Sequence, residues 1–101
     1  MGAPYLAGAS QSPGLLQQPL SQTAEPTSNL TLRVTASGSP PIFYQWRFND
    51  ADIPGATASS LTVSNLRPAK EGTYQVLVSN REGCLTSALA AVLLDNPLRI
   101  N

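Results

Sequence analysis

The chain carries a single cysteine, Cys84, and no histidine. A serine or cysteine nucleophile therefore lacks its usual imidazole base, and imidazole metal ligation is excluded. Cys84 is the one redox handle, a possible free thiol or intermolecular bridge, although a lone cysteine opening a strand more often serves as a small apolar residue. Asn49, Asp50 and Asp52 offer hard oxygen ligands, but the calcium-loop spacing fails at Ile53-Pro54-Gly55, and a solvated turn accounts for them equally well. Asn29-Leu30-Thr31 fits the acceptor pattern for N-linked sugar, which matters only in a eukaryotic secretory pathway. No catalytic, cofactor-binding or metal-ligating set emerges, so the residues point to a non-catalytic chain without cofactors.

Composition narrows the partners. Six basic and six acidic residues give a formal net charge of +0, and only 12% of the chain is charged. The fields that draw nucleic acid or anionic membrane to a protein are missing. No apolar run is long enough for a membrane span. The first ten residues lack the basic region and long apolar stretch of a secretory signal, and Ala7-Gly8-Ala9 only resembles a cleavage site because Pro4 interrupts what precedes it. With 101 residues, one domain with one core is expected.

Turn signals and alternation place the elements. Residues 1–14, rich in Gly, Ala, Ser and Pro, read as a linker or lead-in; residues 15–95 as the domain; residues 96–101 as a tail. Leu15-Leu16 and Pro19–Thr23 supply a first strand and its continuation, and Glu25-Pro26-Thr27-Ser28 turns into a strand from Asn29 to Ser37. There Leu30, Leu32, Val34 and Ala36 alternate with polar residues, the mark of a half-buried antiparallel strand. After Gly38-Ser39-Pro40-Pro41, Tyr44, Trp46 and Phe48 point inward while Phe43, Gln45 and Arg47 point outward. Asn49–Asp52 reads as a turn and Ile53–Thr57 as a short edge element, since Pro54 forbids a central place. A strand from Ser60 to Ser64 turns Leu61 and Val63 inward, and Leu66 closes it before the corner Arg67–Gly72. Thr73–Ser79 alternates Tyr74, Val76 and Val78 with Gln75 and Leu77. Asn80-Arg81-Glu82-Gly83 makes a hairpin with glycine at a position suited to positive φ. The last strand runs from about Cys84 to Leu94, with Ala90, Val92 and Leu94 on one side.

The core is marked by spacing. Trp46 lies twelve positions after Val34, Val76 lies thirty after Trp46, and Tyr74 stands two before Val76. With the phrases PPIFYQW, IPGATASSLTVSNL and GTYQVLVSN, the stretch from about Leu16 to Leu94 resembles an immunoglobulin-like domain of the I-set kind, and in particular the tandem domains of large bacterial surface and secreted proteins. The resemblance implies an all-β fold: a two-sheet antiparallel Greek-key sandwich of about seven to nine strands. It places Val34 and Val76 where the inter-sheet disulfide usually joins the sheets, with Trp46 packed against them and Tyr74 tying the corner. It also departs at Lys70, where an acidic residue is usual. A bridge closing a loop of this size contributes roughly 4 kcal/mol, and two buried valines roughly 1.5–3 kcal/mol each, so the apolar pair is a comparable substitute.

Such a sandwich is a scaffold, so function must come from what is built on it. The expectation is a non-catalytic structural or spacer module of a larger secreted or cell-surface protein, with neighbouring domains of the same chain as its partners. The first alternative is a module recognising protein or glycan through an outer face formed by Phe43, Gln45, Arg47, Gln75 and Leu77, or through the end loops. The other is an intracellular scaffold domain of the muscle-filament type, which also manages without disulfides.

Overall fold

The computed structural model describes residues 11–95. Ala7-Gly8-Ala9, most of the lead-in segment and the 96–101 tail lie outside the described residues.

The strands are β1 (Gly14–Gln17), β2 (Gln22–Ala24), β3 (Leu30–Arg33), β4 (Thr35–Ser37), β5 (Phe43–Phe48), β6 (Ala51–Asp52), β7 (Ser60–Val63), β8 (Gly72–Asn80), β9 (Gly83–Thr86) and β10 (Ala90–Leu94). One layer is built from β1 on β4 and β3 on β7. Because β3 and β4 are halves of one strand interrupted at Val34, this layer reads β1, β4/β3, β7. The second layer has the order β2-β10-β8-β5-β6, and β9 shares the β10 edge of β8. Pairing is antiparallel except for β2, which runs parallel to β10. Counting β3/β4 and β9/β10 as one strand each leaves eight strands in a two-layer sandwich.

Alternation builds the core. Leu30, Leu32 and Val34 from one layer meet Trp46, Tyr74, Val76, Val78, Ala90, Val92 and Leu94 from the other, and all are buried in one cluster with Val63 and Leu66. Each side chain of this size contributes about 1.5–3 kcal/mol on burial, so inward parity on strands from both layers is what holds the sandwich shut. The strand expected over Asn29–Ser37 is interrupted at Val34, and the continuation expected over Pro19–Thr23 is the shorter β2. Asn49 and Asp50 adopt positive φ (48° and 71°) and form the two-residue loop of a hairpin joining β5 to β6, so the edge strand is Ala51–Asp52. The segment Ile53–Thr57, expected to be that edge element, forms no strand. The last strand breaks after Thr86, where Ser87 turns inward.

At Ser87 the reason is visible. Its N–H donates to the Val76 carbonyl at 2.9 Å, and its hydroxyl oxygen accepts the Val76 N–H at 2.9 Å while its proton reaches the Ala88 carbonyl at 3.0 Å. A serine side chain thus completes the ladder opposite Val76, and the buried hydroxyl is satisfied.

The ends of the described chain are tied at opposite poles. Gln11 donates its N–H to the Ser39 hydroxyl at 2.8 Å, and its carbonyl accepts from Ser39 N–H and from the Asn80 amide at 2.7 Å. At the other pole Asp95 N–H donates to the Ala24 carbonyl at 2.8 Å, beside the corner where Thr27 N–H meets the Leu66 carbonyl.

Candidate functional site

Two features stand apart from the core: the outer face of the larger layer and the corner before β8. The register of β5, β8 and β9 assembles the outer face. Phe43 lies opposite Ser79, which lies opposite Cys84; Gln45 lies opposite Leu77, which lies opposite Thr86; Arg47 lies opposite Gln75. Of the five residues singled out in the sequence, Gln45 with Leu77 and Arg47 with Gln75 are direct cross-strand pairs, and Phe43 lies diagonal to Leu77. Their exposure is uneven. Phe43 is 60% exposed, whereas Gln45, Arg47, Gln75 and Leu77 are partly covered. The Gln45 amide turns back to donate to the carbonyls of Trp46 (2.9 Å) and Ile53 (2.8 Å). Arg47 Nε donates to Asp52 Oδ1 at 2.8 Å across the β5–β6 hairpin, an exposed pair that contributes about 0.2–1 kcal/mol. Cys84 is exposed, in the same lateral row as Phe43.

Sequence reasoning missed two members of the surface. Leu89 and Leu93 on and beside β10 are 56% and 49% exposed. The parity that buries Ala90, Val92 and Leu94 sends them outward, a signal present in the alternation itself.

Trp46 and Val76 are fully buried and paired across β5 and β8, and Val34 joins the same cluster. The Trp46 indole N–H donates to the Ala58 carbonyl at 2.8 Å, so its one polar atom is satisfied. The Tyr74 hydroxyl donates to the Lys70 carbonyl at 2.9 Å across the short 3-10 turn Pro68–Lys70. Burial raises the Tyr74 pKa above its ordinary 10.0, because the ionised phenolate would be desolvated. Its ring sits 4.7 Å from that of Phe48.

The oxygen ligands of the β5–β6 hairpin are directed elsewhere. Asn49 Oδ1 accepts from the Thr73 N–H (3.0 Å) and hydroxyl (3.3 Å), and Asp52 faces Arg47. Asn29 Oδ1 accepts the Asn65 N–H at 2.9 Å. Among the described residues no three His, Cys, Asp or Glu side chains converge as a metal site, and no helix is long and apolar enough to cross a membrane.

Two facing layers, a central tryptophan clamped to a neighbouring carbonyl, and a tyrosine tying the corner before its own strand define an immunoglobulin-like domain. The immunoglobulin domain family model matches residues 12–80, and the chain belongs to that family. Solved structures agree in fold. A titin–obscurin-like 1 immunoglobulin complex aligns with TM-score 0.79 at 19% identity, covering 90% of this chain and 100% of that one. An I-band fragment of titin gives 0.76 at 24% identity over 85% of this chain and 33% of that one. The sidekick-1 immunoglobulin domains give 0.76 at 24% over 84% of this chain and 18% of that one. In the last two cases this chain spans a third or less of the matched chain, which is similar in fold.

Proposed function

We propose that the domain is a non-catalytic spacer module in a larger secreted or cell-surface protein of the bacterial tandem type, with its neighbours in the same chain as principal partners. The observation that carries this reading is the polar placement of its two ends. Gln11 is held at the pole of the Gly38–Pro41 and Asn80–Gly83 loops, and Asp95 at the pole of the Glu25–Ser28 and Arg67–Glu71 turns. A chain entering at one pole and leaving at the other stacks domains lengthwise. A core without a disulfide holds equally in reducing and oxidising compartments, so an intracellular filament-type scaffold would use the same architecture.

The test is small-angle X-ray scattering on two copies joined in tandem in one polypeptide. A spacer gives a particle about twice as long as one domain; a compact particle with outer faces buried against each other contradicts it. The second reading, recognition through the β5–β8 face, draws on the exposure of Phe43 and its row with Cys84 and beside Leu77.

A further inference from the structure

Among the described residues the smaller layer ends at β7, which pairs only with β3. The Val34 N–H to Ser59 carbonyl bond (3.1 Å) fixes the phase of this ladder. By antiparallel alternation, Leu61 and Val63 exchange both main-chain bonds with Leu32 and Leu30, and the main-chain groups of Ser60, Thr62 and Ser64 point to the free edge. The Lys70 ammonium sits on the Ser64 carbonyl, as this phase requires. The segment that leads into β7 does not cover the edge, since the carbonyls of Ala56 and Ala58 serve the main-chain and indole N–H groups of Trp46.

Beside this edge runs a groove of about 220 Å³ lined by Phe48, Ile53, Leu61, Val63 and Tyr74, with Lys70 as its one charge. Sheet edges are usually blunted by charge or proline within the strand. Residues 59–64, Ser-Ser-Leu-Thr-Val-Ser, contain neither.

The geometry points to β7 as a docking edge for an extended peptide segment of another protein, apolar at alternate positions and carrying a carboxylate at the end that reaches Lys70. Such a strand supplies main-chain partners to Ser60 and Thr62 and lays alternate side chains into the groove against Phe48, Ile53 and Val63. The carboxylate follows from charge complementarity, because among the described residues Lys70 is the only charged one lining the groove. A second copy of this chain fits less well, since residues 59–64 of its own β7 segment carry no carboxylate to meet Lys70. The proposal is independent of the spacer reading, which stands if this edge binds nothing.

The test is a titration of the chain with a fluorescent peptide that alternates valine and threonine and ends in aspartate, followed by anisotropy and by amide shift mapping. A second form of the probe, N-methylated at alternate amides, removes main-chain donors without touching the protein. The expected result is saturable binding, shifts at residues 60–64, Phe48 and Ile53, and a loss of roughly tenfold or more in affinity for the methylated probe and for Lys70→Glu. Equal binding of both probes, shifts centred on Phe43 and Leu77, or no saturation up to about 1 mM would overturn the proposal. So would dimerisation of the chain through β7 without the probe.

Discussion

The Tyr74 hydroxyl reaches back four residues to the Lys70 carbonyl at 2.9 Å, while the Lys70 ammonium reaches back in turn to the Ser64 carbonyl. One residue thus joins the corner to the strand that follows it and to the strand that precedes it. The resemblance to the family marks this position as one where a carboxylate is usual. A lysine here gives up the acidic partner and gains a cap on the open β7 edge.

Tyr74→Phe should lower stability by about 0.5–1.5 kcal/mol, read as a reduced midpoint in urea. Because burial raises the Tyr74 pKa, the folded state holds the phenolic proton more tightly than the unfolded state. Its contribution is fully present below pH 10.0 and is lost as pH rises through the folded pKa. The wild type should therefore lose stability above that pH, and the phenylalanine variant should lack this part of the slope.

The resemblance to the family places Val34 and Val76 at the positions of its inter-sheet bridge. Replacing both, as Val34→Cys with Val76→Cys, should allow a bridge whose oxidised form is more stable than its reduced form by roughly 4 kcal/mol in the chain-entropy picture. The wild type, with one cysteine, should unfold at the same midpoint with and without reductant. Failure of the double variant to oxidise would show that the two valines do not face one another across the core.

Ser87→Ala leaves the buried Val76 N–H without an acceptor. The expected cost is about 1–3 kcal/mol, and amide exchange at Val76 should accelerate by more than at Val78.

Gly72 opens β8 at φ 154°, where a Cβ would meet Asn49 Oδ1 at 2.5 Å and the Phe48 ring at 2.8 Å. Gly72→Ala should cost about 1–3 kcal/mol through backbone strain and displacement of Asn49 from Thr73. Calorimetry of this variant, with the shift of the Thr73 amide as a local reporter, checks both effects.

Much of this architecture was legible because a period of two leaves a record in residue type. The runs Leu30-Leu32-Val34, Tyr74-Val76-Val78 and Ala90-Val92-Leu94 are buried as their parity predicts. What was not legible depends on single conformations or distant partners. Asn49 and Asp50 read as part of a longer turn, but their positive φ values tighten the loop to two residues and move the edge strand to Ala51–Asp52. Ser87 reads as an ordinary strand residue until the Val76 main chain stands opposite it. On the outer face, Phe43 is exposed, but Leu77 is partly covered, because it lies on the central strand β8, flanked by β5 and β9. Composition does not reveal a partner, so the open β7 edge emerges only from the pairing pattern.

The most direct test of the spacer account is light scattering after size exclusion across a range of concentrations, with and without reductant, on the wild type and on Phe43→Ser/Leu77→Ser. The account predicts a monomer in every case. A reductant-insensitive dimer that the double substitution abolishes would contradict it and assign the β5–β8 face to recognition, and a dimer lost only with reductant would shift the assignment to Cys84.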